Sequence, residues 1–127
     1  MTDTFLLNDF YRIDSARNIN DQNNVTTISI NAQHPVFKRH FGQMPVVPGV
    51  FQTQIVKEVL QQYINKNLLF TKGDNIKFLN MILPDKHPKI QLEITWKHTE
   101  NNYTVEAKLF SENITFTKFK GSYILKQ

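Results

Sequence analysis

One histidine and one glycine stand at a spacing that chemistry can use. His40 lies nine residues before Gly49, in the stretch Arg39-His40-Phe41-Gly42-Gln43-Met44-Pro45-Val46-Val47-Pro48-Gly49-Val50. Pro45 and Pro48 each fix φ, so the loop between the two residues is stiff and the histidine is held. Gly49 has no Cβ, which lets its N–H approach a ligand closely. The pair Pro48-Gly49 also opens a helical pattern, and the first N–H groups of a helix lack partners and carry partial positive charge. A base beside such a terminus suits removal of a proton next to a carbonyl. His34, His87 and His98 have no comparable company and read as surface or turn residues. No histidine and carboxylate set has metal-ligand spacing, so no metal is expected.

The elements that must position this pair are one helix and several strands. From about Gly49 to Asn65, Phe51, Ile55 and Val59 recur at i+4, and Val56, Leu60, Tyr63 and Ile64 widen the apolar surface. A helix apolar on so many sides needs a wrapping. Strand-like stretches supply it: Asp9 to Asn20, Val25 to Ala32, Asn75 to Leu83, Lys89 to His98, Tyr103 to Ser111 and Ile114 to Leu125. Residues 1–8 read as a loose lead-in, with Phe5, Leu6 and Leu7 as a packing plug. The order predicts an α+β fold in which an antiparallel sheet curls around one long central helix, as one domain over residues 1–127.

On these residues the chain resembles the FabZ/FabA-type (3R)-hydroxyacyl-acyl-carrier-protein dehydratases, which have the hotdog fold. Their motif reads His-Phe-Pro-Gly-x-Pro-x-Met-Pro-Gly-Val, then three residues, then a catalytic Glu or Asp. The spacing here matches without a gap. Lys77-Phe78 and Pro84-Asp85 resemble a second family stretch, Phe-x-x-Pro-x-x-Pro-Gly-Asp. Gly42, Gln43 and Val47 depart from the motif as loop variation, whereas Gln54 stands where the carboxylate is usual.

The resemblance implies a hydro-lyase that removes water from a 3-hydroxyacyl thioester to give a trans-2-enoyl thioester, in fatty-acid or related specialised acyl biosynthesis. His40 falls on its catalytic base and Gly49 on its carbonyl-polarising amide. It implies no cofactor of its own, the substrate riding on the phosphopantetheine of an acyl carrier protein. It also implies a homodimer, or a higher oligomer built of dimers, with helices side by side and the sheets joined. The alternatives are a hotdog acyl thioesterase and a weakly active or non-catalytic partner subunit that binds acyl thioesters.

Gln54 and Glu58, with Lys57 and Gln61, leave two readings open. They form a polar strip facing solvent, or Gln54 and Glu58 exchange the roles of a carboxylate and a glutamine that the family carries in the opposite order. In the second reading both position the β-hydroxyl, and only Glu58 exchanges a proton at neutral pH. Their Cβ atoms should lie about 5–6 Å apart, within range of a side-chain hydrogen bond. Lys38 and Arg39 are either solvated or facing phosphates and an acidic carrier. Val47, Phe51, Phe78 and Met81 are expected at the acyl-binding surface, with Phe51, Phe78, Met81 and Ile82 otherwise serving as core.

Composition narrows the partners. The formal net charge of +4 over 127 residues favours an acidic partner. Nucleic acid is not expected, since no Arg/Lys cluster is interleaved with aromatics. There is no cysteine, hence no disulfide and no thiol chemistry. The start lacks the basic and apolar runs of a signal peptide, and no stretch has the length of a membrane span. A cytoplasmic protein is the expectation.

Overall fold

The computed structural model describes residues 2–38 and 44–126. Among these residues six strands, one α-helix and a 3-10 turn at Pro35–Phe37 are formed, the strands and α-helix in the order β1 (Tyr11–Asn20), β2 (Asn23–Ile30), α1 (Gly49–Ile64), β3 (Leu68–Phe78), β4 (Lys89–Thr99), β5 (Asn102–Ser111) and β6 (Ile114–Leu125). The strands form one sheet in the order β1-β2-β4-β5-β6-β3, antiparallel at every pairing. This is the hotdog fold that the resemblance implied.

Period-2 patterning builds the wrapping. Ile90, Leu92, Ile94 and Trp96 on β4 are buried, as are Tyr103, Val105, Ala107 and Leu109 on β5. They meet Ile55, Val56, Val59 and Leu60 from α1 in one core. The helix closes at Asn65, in the left-handed region at φ 56° and ψ 43°, with its N–H on the Gln61 carbonyl. Asparagine tolerates that conformation better than most side chains.

β3 departs from expectation. It starts at Leu68, not Asn75, and ends at Phe78, not Leu83. Lys72-Gly73-Asp74-Asn75 has the composition of a turn, yet the strand absorbs it through two register irregularities against β6, between Phe70 and Lys72 and between Gly73 and Asn75. Gly121 makes room for the first, since a Cβ there would lie 2.7 Å from the Lys72 carbonyl oxygen. Beyond Phe78 the chain leaves the ladder, and the Leu79 and Asn80 N–H groups both donate to the Phe116 carbonyl, at 2.7 and 3.1 Å.

The lead-in is more ordered than its sequence suggests. Residues 2–7 lie along α1 as a strap. The Gln61 amide donates to the Asp3 carbonyl at 2.7 Å, and the Asp3 N–H donates to Asn67 Oδ1 at 2.7 Å. Leu6 and Leu7 pack on the core as the expected plug, but Phe5 is 75% exposed.

Candidate active site

The helix start is where loop, strand end and α1 converge. Pro48 is the N-cap residue, in an extended conformation and with no side-chain cap. The Phe51 and Gln52 N–H groups turn back to the Pro48 carbonyl at 3.0 and 3.2 Å. No acceptor among the described residues is bonded to the Gly49 N–H. A terminus in this state holds a donor and partial positive charge in reserve. A Cβ at position 49 would lie 2.8 Å from Phe78 Cζ, so only glycine fits beneath that ring without displacing it.

Two further residues hold the loop against the helix. The Val47 N–H donates to the Ile82 carbonyl at 3.0 Å. Gln52, buried on α1, donates from Nε2 to the Val47 carbonyl at 3.3 Å and accepts at Oε1 from the Thr117 hydroxyl on β6. Gln52 was not among the residues expected at the site. Its signal was available, since it occupies the same helical stripe as Ile55, Val56 and Val59, where a polar side chain needs partners.

Beside this terminus runs a groove of about 500 Å³, lined by Val46, Val47, Gly49, Gln52 and the segment Phe78–Met81. Of the expected acyl-contacting residues, the structure brings Val47, Phe78 and Met81 together here. Phe78 and Met81 are 54% and 63% exposed, which overturns their reading as core, whereas Ile82 is fully buried. Phe51 does not line this groove. Its ring packs edge-on against Phe10 at 4.8 Å between centroids. Lys38 lines a separate hollow with His34, Pro45 and Asp85. His40 and Arg39 lie outside the described residues.

Glu58 overturns the solvent-facing reading of its strip. It is fully buried, and Gln61 is 1% exposed. The expected link to Gln54 is present, with Gln54 Nε2 donating to Glu58 Oε2 at 2.8 Å. The other partners come from the strap and β1. Glu58 Oε2 accepts from the Phe5 N–H at 2.7 Å and the Leu6 N–H at 3.0 Å. Glu58 Oε1 accepts from the Leu7 N–H at 2.9 Å and the Tyr11 hydroxyl at 3.1 Å. Burial, then the Glu58 charge, then this hydrogen bond push the Tyr11 phenol well above its ordinary range. Three backbone N–H groups, the Gln54 amide and the Tyr11 hydroxyl thus surround the carboxylate.

His34 is also more than a turn residue. Its side chain is 14% exposed, its ring meets Phe10 edge-on at 5.3 Å, and Nε2 lies 3.0 Å from Asp9 Oδ2. Nδ1 accepts from the Val36 N–H at 3.1 Å, which places the proton of the neutral ring on Nε2. The ring ties Asp9 and Phe10, just before β1, to the start of the loop that leads toward His40.

A helix wrapped by one antiparallel sheet, with an uncapped start beside an apolar groove, defines a hotdog protein. Within that class the chain belongs to the ApeI-like dehydratase family, whose model, described as ApeI dehydratase, matches residues 16–117. It is 31% identical over 106 residues to a 3-hydroxyacyl-[acyl-carrier-protein] dehydratase FabZ of Streptococcus mutans serotype c, covering 76% of this chain and 73% of that one. A FabZ of Alkaliphilus metalliredigens is 28% identical over 74 residues, or 53% of this chain, and the match spans half of that relative's length. Among solved structures, the dehydratase heterocomplex ApeI:P from Xenorhabdus doucetiae superposes with a TM-score of 0.69 at 18% identity, covering 88% of this chain and 96% of that chain.

Proposed function

We propose that this protein dehydrates a 3-hydroxyacyl thioester to the trans-2-enoyl thioester, the acyl group being carried on the phosphopantetheine of an acidic acyl carrier protein. The observation that carries this reading is the Gly49 N–H, bonded to no acceptor among the described residues, at an uncapped helix start that opens on an apolar groove. The thioester oxygen accepts from that N–H as it gains enolate character. His40 takes the α-proton, the Cβ–O bond breaks, and His40 returns the proton to the departing hydroxide so that water leaves. The groove formed by Val47, Phe78 and Met81 takes the start of the acyl chain. Lys38 and Arg39 attract the carrier's acidic surface. The working unit in this reading is a homodimer. β3 is an edge strand with exposed Leu69 and Phe70, and Val50 on α1 is 73% exposed. A stable, active monomer in sedimentation would contradict it.

The test is mass spectrometry after incubation with a panel of 3-hydroxyacyl carrier substrates, parent beside His40→Ala. Enoyl product, falling about 10²–10⁴-fold in the variant, is expected. Free acid would make the protein a thioesterase instead. Unchanged substrate that nonetheless binds supports a second reading, a partner subunit with reduced chemistry. One observation favours that reading: the carboxylate beside Gln54 is fully engaged by donors, and Gln54 itself exchanges no proton. The superposing structure is itself a heterocomplex.

A further inference from the structure

The sheet has two faces, and α1 packs on the inner one. On the outer face the pairing register aligns like charges. Lys118 on β6 stands directly opposite Lys77 on β3 and Lys108 on β5. Adjacent strands lie about 4.8 Å apart, and like charges set opposite one another destabilise a sheet. Lys120 follows on the same face of β6. Glu93 and Glu106 answer Lys108 and Lys120 at 4.0 and 3.9 Å. No carboxylate among the described residues pairs with Lys77 or Lys118, both of which are exposed. The four lysines border an open hollow of about 360 Å³. Apolar side chains bracket this band. Phe110 lies at one end, with Lys108 Nζ 4.7 Å from its ring centroid. The opposed pair Leu69 and Ile124 lies at the other, and Leu69 is 43% exposed.

We propose that this outer face is a peripheral docking surface for an anionic lipid bilayer. The inference goes beyond the dehydration reading and does not depend on it. Lys77 and Phe78 are consecutive in β3, so their side chains project to opposite faces. Phe78 walls the Gly49 groove, which puts the lysine band on the far side of the sheet from that groove. A carrier that threads its arm into the groove therefore leaves the band open. The band holds lysines and no arginine. A lysine is a compact charge without the planar fork that grips one phosphate in a fixed geometry. Fluid headgroups ask for no fixed geometry, and every lysine near them adds to the attraction. The Phe110 ring sits beneath a lysine and is not open for a base to stack on, which disfavours nucleic acid. A bilayer interface takes both parts of the surface, its phosphates meeting the lysines and its acyl boundary meeting Phe110 and Leu69. In the homodimer reading β3 meets β3 of the second copy, and the two bands adjoin at the seam.

The test is co-sedimentation of the full chain with two kinds of vesicle, one of phosphatidylcholine alone and one of equal parts phosphatidylcholine and phosphatidylglycerol. Binding to the anionic vesicles only, declining as salt rises, is expected. The variant Lys77→Gln/Lys118→Gln should weaken it about thirtyfold, from about fivefold for each lysine. Its unfolding midpoint should not fall, since an opposed like-charge pair is removed. Glu93→Gln/Glu106→Gln should strengthen binding, because Lys108 and Lys120 lose their carboxylates. Lys66→Gln/Lys86→Gln removes the same charge from the connections either side of β3 and should weaken binding far less. Equal binding to both vesicles, binding to neither, or equal loss in the two lysine variants would overturn the proposal. So would a DNA duplex or an acyl carrier protein that binds more tightly than the anionic vesicles and loses that binding in Lys77→Gln/Lys118→Gln.

Discussion

Glu58 and Gln54 sit four residues apart on α1 and share a hydrogen bond, yet they occupy opposite regimes. Glu58 is fully buried with donors at both oxygens, while Gln54 is half-buried with one end of its amide engaged. Gln52, two residues earlier, resembles Glu58 in this respect, bonded at both ends to Val47 and Thr117. A saturated polar group has no valence left for a ligand, so it serves the architecture. A half-engaged one, oriented by a saturated neighbour, has an acceptor to offer. Residue type alone would rank the acidic Glu58 above the neutral Gln54 as a reactive group. The hydrogen bonds instead sort them by which has an acceptor that no described donor engages.

The comparison breaks most readily at Glu58. Glu58→Leu removes the acceptor for the Phe5, Leu6 and Leu7 N–H groups and for the Tyr11 hydroxyl. Each donor that stays buried and unpaired costs about 1–3 kcal/mol, and the strap can relieve part of this by swinging into water. A net loss of about 3 kcal/mol is expected in urea unfolding, with fast amide exchange at residues 5–7. Unchanged stability would mean that the carboxylate is not the anchor of the strap. Gln52→Leu should come next, at about 2 kcal/mol, because the Thr117 hydroxyl and the Val47 carbonyl both lose a partner.

Tyr11→Phe removes one donor and leaves the carboxylate with the others, so about 1.5 kcal/mol is expected. It also has a pH signature. Burial, reinforced by Glu58, raises the Tyr11 phenol in the folded protein, and burial raises Tyr123 likewise. A raised phenol favours the neutral, folded form. Its stabilisation is complete below the unfolded value of about 10 and declines as pH rises above that value toward the folded one. The parent should therefore lose stability steadily above about pH 10, and Tyr11→Phe should lose it less steeply. Identical slopes in alkaline denaturation would remove Tyr11 from the linkage.

How much of this was legible in the sequence follows from where each signal resides. The i+4 recurrence of Phe51, Ile55 and Val59 and the alternation along Lys89 to Leu125 are carried by side chains, and the helix and β4–β6 fall close to where they were expected. The start of β3 was hidden because Lys72-Gly73-Asp74-Asn75 has turn composition, and only the pairing with β6 and the small Gly121 make it a strand. The burial of Glu58 was hidden for a different reason. Its donors are mainly backbone N–H groups of residues 5–7, which every residue except proline carries and no side-chain pattern announces. The helix start was legible through Pro48 and Gly49. Phe78 and Met81 were legible as apolar, but not as walls of a groove, because exposure is a property of the assembled surface.

The smallest expected change in stability separates the two regimes most cleanly. Gln54→Leu removes one donor from a carboxylate that keeps three backbone N–H groups and a phenol, and it does so from a side chain that is only half-buried. The leucine should also recover some apolar contact along the helix, so unfolding free energy should stay within about 0.5 kcal/mol of the parent. Activity should not follow stability. In the dehydration reading, where the resemblance gives Gln54 the 3-hydroxyl to position, the variant retains His40, the Gly49 amide and the groove, so kcat/KM on a 3-hydroxyacyl substrate should fall about tenfold, the scale of one neutral hydrogen bond. A drop in stability as large as that of Gln52→Leu would make Gln54 another structural fastener. Parental stability combined with parental kcat/KM would leave Gln54 with neither role, and the contrast between it and Glu58 would reduce to a difference in burial.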